Sequence, residues 1–131
     1  MPDLAALFGA NKSASTVFVL FVPSHDRAKV VIDQNYWVRE ALAVLGRLFG
    51  GATAYPRGTG VWRDDAQAGQ LLFDEPVVIQ CYTSRTAIEA SAAELRAFLT
   101  RLGTEANQGA IGFVIDQEYF EIGFPVAGAE S

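Results

Sequence analysis

The sequence predicts an α+β protein: a ferredoxin-like βαββαβ plait with additional hairpin strands and two helices on one face of a mostly antiparallel sheet. Apolar residues recur at helical spacing in two stretches, about 34–49 and 86–102. Runs rich in β-branched and aromatic residues lie before, between and after these stretches. Glycines, prolines and short polar segments separate the runs, which indicates hairpins.

The chain length predicts one domain. Of its 131 residues, 50% are hydrophobic, which suffices for one core. We expect residues 1–131 to form a single domain with an ordered core at about 14–123, a short N-terminal arm and a loose C-terminal tail, GFPVAGAES. For residues 3–10, a short amphipathic helix and a loosely docked arm both remain open.

The first strand and first helix follow the arm. Residues 16–22, TVFVLFV, predict a strand covered on both faces, because no polar residue interrupts it. Asp33 or Asn35 is expected to cap a helix at about 34–49 that carries a broad apolar stripe. Gly50 and Gly51 end this helix, since glycine takes the left-handed conformation at a helix C-terminus without steric cost.

Hairpin signals fill the middle of the chain. Residues 52–55 and 61–63 predict short strands on either side of a turn region at 56–60, and a polar turn follows at 64–69. Residues 70–83 predict a long strand in which Pro76 marks a bulge or an edge position, because proline cannot donate to a ladder.

The second half of the plait begins with a helix start signal. Thr86-x-x-Glu89 matches a capping box, and Gly103 is expected to end the helix that follows. Residues 110–115 and 118–122 then predict two strands joined tightly at Asp116-Gln117.

The apolar strand at 16–22 raises the question of what covers the second face of the sheet. Both helices of such a plait pack on one face, yet this strand is apolar on both. A second copy stacked sheet to sheet would cover it, because large apolar patches mark interfaces and closed dimers are the commonest assembly. We therefore predict a homodimer. The alternative is that the N-terminal arm or the C-terminal tail covers this face.

Composition excludes several partners. Ten basic and fifteen acidic residues give a net charge of −5, with no basic stripe for nucleic acid. The longest apolar run, residues 17–22, is far shorter than the roughly 20 residues of a membrane helix. The start of the chain has no signal-peptide pattern, and Cys81 is the only cysteine, which fits a reducing compartment. These features predict a cytoplasmic protein without nucleic-acid or membrane partners.

No motif predicts a catalytic centre. Ser24-His25-Asp26 has the residue types of a hydrolase triad, but adjacent residues cannot converge as a triad requires, and a solvated loop histidine is the favoured interpretation. With His25 and Cys81 the only residues of their types, a zinc site is disfavoured. Cys81 is expected to be a small buried hydrophobe. No catalytic residue, metal or cofactor is predicted.

Five side chains of the hairpin region remain as candidates for ligand binding. They are Arg57, Trp62, Arg63, Gln80 and Tyr82. Two arginines that flank one hairpin can clamp a carboxylate or a phosphate, and the tryptophan between them is an amphipathic anchor. The structural alternative is that Trp62 packs on the sheet edge while the arginines are solvated or pair with nearby acids.

The FGGAT segment at 49–53, the GVW segment at 60–62 and Glu75 at the start of a strand resemble a pattern in small bacterial proteins of uncharacterised domain-of-unknown-function families. In those families a helix ends in FGGxT, and a GxW hairpin and a glutamate-led strand follow. The resemblance implies the same layout of elements and brings no activity to carry over.

Two functional hypotheses follow. The first is a non-enzymatic α+β module that self-associates through its sheet and binds a partner protein or a small ligand. The alternative is an enzyme or ligand sensor of the dimeric α+β-barrel kind, with a pocket near Trp62, Gln80 and Tyr82. An enclosed cavity reached by these side chains would favour the alternative.

Overall fold

The computed structural model describes residues 3–125. Its helices are α1 (Leu4–Phe8), α2 (Gln34–Phe49), α3 (Arg85–Ala90) and α4 (Ala92–Glu105). Its strands are β1 (Thr16–Val22), β2 (Thr53–Ala54), β3 (Gly60–Asp64), β4 (Gln70–Asp74), β5 (Val77–Thr83), β6 (Ala110–Ile115) and β7 (Glu118–Gly123).

The main sheet confirms the predicted α+β plait. Its strands lie in the order β2-β5-β1-β6-β7, and each neighbouring pair is antiparallel. Without β7, this is the strand order of the βαββαβ fold, with β1 and β5 at the centre. The hairpin β3–β4 forms a separate two-stranded sheet, which corresponds to the predicted additional strands.

The core lies between the helices and one face of the sheet. Phe18 is 0% exposed and Leu20 is 1% exposed on β1, and both belong to one cluster with Ile79 of β5. The helix α2 contributes Trp37 and Leu45 to the same cluster. The broad apolar stripe predicted for residues 34–49 is thus the face that α2 turns toward the sheet.

The start of the second helix differs from the predicted capping box. Ser84 is the N-cap, and its hydroxyl accepts a hydrogen bond from the backbone N–H of Ala87 at 3.1 Å. Serine and threonine both suit this position, so the extended backbone at Ser84 decides which residue caps. The helix is also interrupted at Ser91, which separates α3 from α4.

The predicted strand at 70–83 is two strands. It breaks at Glu75-Pro76, so that β4 pairs with β3 while β5 pairs with β1 and β2. Proline lacks the N–H that a continuous ladder would need, and here it separates the hairpin from the main sheet. The turn at Asp116 is as predicted, with a left-handed φ of 56°.

The described parts of the termini do not cover the second face of the sheet. The helix α1 buries none of its residues. At the other end, Phe124 packs against Gly103 of α4 and the core cluster, which places it on the helix side. Residues 126–131 of the predicted tail lie outside the described residues. Within residues 3–125, no helix has the length and apolar character needed to cross a membrane.

Candidate functional site

A cavity of about 600 Å³ lies between the hairpin β3–β4 and the sheet face that the helices leave uncovered. We call it the hairpin cavity. Strand alternation places Trp62, Leu72 and Asp74 on the hairpin face that is turned toward the sheet. Its walls also come from the end of β1, the loop after it, the start of β6, and β7; they include Phe21, His25, Lys29, Gly112 and Glu121.

The hairpin rests on the far edge of the sheet through aromatic rings. The Trp62 and Tyr119 ring centroids are 6.5 Å apart at an interplanar angle of 39°. A Cβ at Gly112 would overlap the Tyr119 phenol, so the ring can pack against β6 only because this residue has no side chain. The Tyr119 hydroxyl donates to Glu121 at 2.8 Å. Burial, together with this hydrogen bond, raises the pKa of Tyr119.

Asp74 is the polar group that the hairpin brings to the cavity. Its Oδ1 atom is buried and has no hydrogen-bond partner among the described residues. Burial raises the pKa of the Asp74 carboxyl, while the Trp62 indole and the charge of His25 act in the opposite direction. A Cβ at the cross-strand residue Gly60 would lie 3.0 Å from Oδ1, so the glycine leaves room for the carboxyl. An unpaired buried oxygen at a cavity wall is suited to accept a hydrogen bond from a ligand.

The joint between hairpin and sheet is fixed at Glu75. Its backbone N–H donates to the Ser24 hydroxyl at 2.9 Å, and its carbonyl accepts from the side-chain amide of Gln34 at 3.0 Å. The Gln34 amide also donates to the carbonyl of Val22 at 3.1 Å. These bonds tie the joint to the end of β1, so the angle at which the hairpin leaves the sheet is set by buried polar groups.

The loop after β1 is held in one conformation by a second network. The Asp26 carboxylate accepts from the backbone N–H groups of Ala28 at 2.8 Å and Val30 at 3.0 Å. The bond from Val30 contributes most to the lowered pKa of Asp26. The Gln108 amide donates to the carbonyl of His25 at 3.0 Å. Lys29 takes a left-handed φ of 64° within this turn. The His25 and Lys29 side chains are therefore presented to the cavity by an ordered loop.

Two of the five predicted site residues lie at the hairpin cavity, and three lie outside it. Trp62 lines the hairpin cavity, and Arg63 borders it while forming an ion pair with Asp65 at 2.6 Å. Arg57 lies in the exposed connection between β2 and β3. Gln80 and Tyr82 lie on β5 outside the cavity walls.

A row of polar side chains occupies the sheet beside the cavity. The Tyr55 hydroxyl donates to the side-chain oxygen of Gln80 at 2.9 Å, and the Gln80 amide donates to the Tyr82 hydroxyl at 3.3 Å. Tyr82 is 60% exposed. This row belongs to a surface and not to an enclosed site.

Sequence reasoning missed the two most important groups of the cavity. Asp74 was not among the predicted site residues, and His25 was interpreted as a solvated loop residue. The alternation of β4 places Asp74 on the same hairpin face as Trp62, and that register was readable from the sequence. Nothing in the sequence indicated that the loop after β1 would meet the hairpin.

The cysteine lies in the core and outside the walls of the hairpin cavity. Burial raises the pKa of the Cys81 thiol to about 11, so it stays protonated at neutral pH. Among residues 3–125, no group of three or more metal-binding side chains comes together.

No protein family model and no curated protein matches this sequence. Solved structures do match the fold. A phage SAM lyase in complex with S-methyl-5′-thioadenosine aligns with a TM-score of 0.66 and 16% identity over 86% of this chain and 92% of that chain. A phage SAM lyase in the apo state aligns with a TM-score of 0.60 and 18% identity over 95% of both chains.

A third structure is more distant. The divalent ion tolerance protein CutA1 from Ehrlichia chaffeensis aligns with a TM-score of 0.51 and 7% identity over 82% of this chain and 84% of that chain. At these identities the likeness shows a shared fold. It supports the α+β plait over nearly the whole chain.

Proposed function

We propose that this protein binds a small molecule in the hairpin cavity. The observation that carries the proposal is the Asp74 carboxyl, whose buried Oδ1 lies unpaired beside a cavity of about 600 Å³. This volume lies within the roughly 300–1,000 Å³ of ligand sites. The walls combine apolar surface with a few polar groups, which is the composition such sites have.

We further propose that the ligand is an S-adenosyl compound. The likeness to phage SAM lyases covers 92% and 95% of those chains, and one of them holds S-methyl-5′-thioadenosine. Trp62 at the cavity wall offers an aromatic face to a nucleobase. Asp74 offers a carboxylate to the sulfonium or ammonium of S-adenosylmethionine.

Calorimetric titration with S-adenosylmethionine and S-methyl-5′-thioadenosine tests this proposal. We expect Asp74→Asn to weaken S-adenosylmethionine binding at least about tenfold, because a hydrogen bond to a charged group is lost. Trp62→Ala is expected to weaken the binding of both ligands. Glu94→Gln is the matched control, because this carboxylate pairs with Arg47 between the helices. Absence of binding of either compound at millimolar concentration would contradict the proposal.

Cleavage of S-adenosylmethionine is the second candidate function. The similar fold of the phage SAM lyases favours it, together with an ordered carboxyl and imidazole at the same cavity. In this reaction an oxygen of the substrate's own carboxylate would attack the carbon bound to sulfur, forming a C–O bond as the C–S bond breaks. The electron pair of the broken bond stays on sulfur, so S-methyl-5′-thioadenosine leaves and the aminobutyrate chain is released as homoserine lactone. Chromatographic detection of that product, lost in Asp74→Asn and retained in Glu94→Gln, would establish it. Binding without product would support the non-enzymatic module.

We also propose that the protein forms a homodimer in the cytoplasm. The hairpin covers only part of the second sheet face, and its other face exposes Val61 by 52%, Leu71 by 56% and Phe73 by 69%; Leu71 and Phe73 also border the hairpin cavity. Apolar side chains grouped in this way favour a protein interface, and a second copy is the occupant to which we commit. The single, buried cysteine fits the reducing cytoplasm.

Sedimentation at micromolar concentration tests self-association. The wild type is expected at twice the mass of the 14.1 kDa chain. We expect the double variant Leu71→Asp, Phe73→Asp to sediment as a monomer, because it places charge on this exposed face of the hairpin. Leu7→Asp on the exposed helix α1 is the control and should stay dimeric. A monomeric wild type would contradict this proposal.

A further inference from the structure

His25 and Ser24 form a side-chain pair at the wall of the hairpin cavity. The Ser24 oxygen lies 2.7 Å from Nδ1 of His25. The same oxygen accepts the backbone N–H of Glu75 at 2.9 Å. Ser24 is buried, whereas His25 is half-buried and faces the cavity. The serine is therefore enclosed between the hairpin joint and the imidazole.

The Ser24–His25 contact is compatible with two tautomers of the imidazole. The serine oxygen, which already accepts from Glu75, can either accept a second hydrogen bond from Nδ1–H or donate its proton to Nδ1. In the arrangement that leaves an N–H of the imidazole for a ligand, Ser24 donates to Nδ1 of His25. A neutral imidazole that accepts at Nδ1 carries its proton on Nε2. Within residues 3–125, Nε2 has no hydrogen-bond partner, so its N–H is free to bind a ligand.

Charge of both signs borders the same cavity. Asp74 offers a carboxyl from the hairpin, while the loop after β1 offers the Nε2–H of His25 and the ammonium of Lys29. His25 and Asp74 both line this cavity. An amino-acid group, with its ammonium beside its carboxylate, matches this pair of walls.

We propose that the hairpin cavity recognises the amino-acid end of its ligand, with Asp74 receiving the ammonium and the Nε2–H of His25 donating to the carboxylate. Ser24 is a positioning residue, because it acts by fixing the tautomer of His25. This inference rests on the proposed function and deepens it. It assigns the site to ligands such as S-adenosylmethionine over S-methyl-5′-thioadenosine, which has no amino-acid group.

The tautomer can be measured directly, since His25 is the only histidine in the chain. Long-range proton–nitrogen correlation spectra of the full-length protein are expected to show one imidazole protonated at Nε2. Ser24→Ala should yield a mixture of tautomers, and Ser24→Thr, which keeps the hydroxyl, should restore the wild-type spectrum. A wild-type imidazole protonated at Nδ1, or a Ser24→Ala spectrum identical to wild type, would overturn the assignment.

Titration then separates the inference from the proposed function. We expect His25→Gln to weaken binding of S-adenosylmethionine about tenfold or more and binding of S-methyl-5′-thioadenosine by less than about twofold, because only the former carries a carboxylate. Equal affinity of wild type and His25→Gln for S-adenosylmethionine, with binding lost in Asp74→Asn, would overturn the inference and leave the proposed function standing. Failure of the wild type to bind either compound would overturn both.

Discussion

The two faces of the sheet differ in what covers them. On one face, α2 and α4 bury Phe18, Leu20 and Ile79 almost completely. On the other, the hairpin β3–β4 touches the far edge through Trp62 and leaves a cavity in between. The side chains of β1 alternate between buried and half-buried along its length, although every one of them from Val17 to Val22 is apolar.

The two faces therefore have different roles, one in stabilising the fold and the other in binding. The helix-covered face is closely packed and apolar, so it supplies the free energy of folding and no chemistry. The hairpin-covered face contains one buried carboxyl oxygen, Oδ1 of Asp74, without a hydrogen-bond partner, which costs stability and is useful when a ligand pairs with it. Polar groups held open by an ordered framework are what a binding site requires.

The largest expected effect comes from removing one large side chain from each face in turn. Leu20→Ala opens a cavity in the core and should lower the free energy of unfolding by roughly 2–5 kcal/mol. Val19→Ala, the neighbour that points to the hairpin side, should cost less than about 1.5 kcal/mol because it is half-buried. Urea unfolding of both variants measures the contrast. Similar costs would show that the second face is as well covered as the first.

Gly112→Ala tests the contact between hairpin and sheet. The added methyl overlaps the Tyr119 phenol, so the ring must move from its seat and disturb the contact with Trp62. Overpacking of this kind costs about 1–3 kcal/mol. We expect a lower midpoint in urea and altered near-ultraviolet circular dichroism. Gly109→Ala is the control, since a Cβ there meets nothing within 4 Å.

Asp74→Asn should change stability in the opposite direction. Burial raises the pKa of this carboxyl, so the folded chain holds the proton to higher pH than the unfolded chain does. The contribution of Asp74 to stability is therefore greatest below its ordinary pKa of 3.8 and is lost as pH rises through the folded-state pKa.

The neutral amide has no such dependence on pH. At pH 7 we expect Asp74→Asn to be more stable than wild type by about 1 kcal/mol, and the difference should shrink toward pH 4. Thermal unfolding at a series of pH values provides the measurement. A variant less stable than wild type at pH 7 would show that the carboxyl pairs within the protein and is not reserved for a ligand.

The smallest expected effect concerns the charges between the two helices. Arg101 lies 5.0 Å from the Trp37 ring centroid and pairs with Glu40 at 2.7 Å, so Arg101→Ala should cost about 1 kcal/mol. Arg47 pairs with Glu94 at an exposed position, and Arg47→Ala should cost less than about 0.5 kcal/mol. If urea unfolding showed the same loss of stability for both variants, the packed Arg101 would contribute no more than the solvated Arg47, contrary to this prediction.

Much of the fold was readable because it depends on local patterns. The periodicity of 34–49 predicted α2, and Gly50 ends it with a φ of 92° as expected. The unbroken apolar run at 16–22 predicted the central strand. Errors arose where two patterns were locally equivalent, as with Ser84 and Thr86 as candidate caps, or where the partner of a strand mattered, as in the break at Pro76.

The candidate site was readable only in part. Trp62 was identified because it lies between two arginines of one hairpin and is the kind of large amphipathic anchor that interfaces favour. Gln80 and Tyr82 were grouped with Trp62 because strand alternation places them on one face of the sheet. Alternation does not predict which other element covers that face. Asp74 and His25 are 49 residues apart in the numbering and line the same cavity only because the segment before β5 and the loop after β1 are joined in the fold.

The sequence by itself determined most of the elements and their order, because hydrophobic periodicity and turn chemistry act over a few residues. The tertiary structure decided where the hairpin lies, and with it which polar groups meet. The position of the hairpin depends on the hydrogen bonds of Ser24 and Gln34 to Glu75 and on the space that Gly112 leaves for the Tyr119 ring. These contacts join distant segments, so no local pattern encodes them.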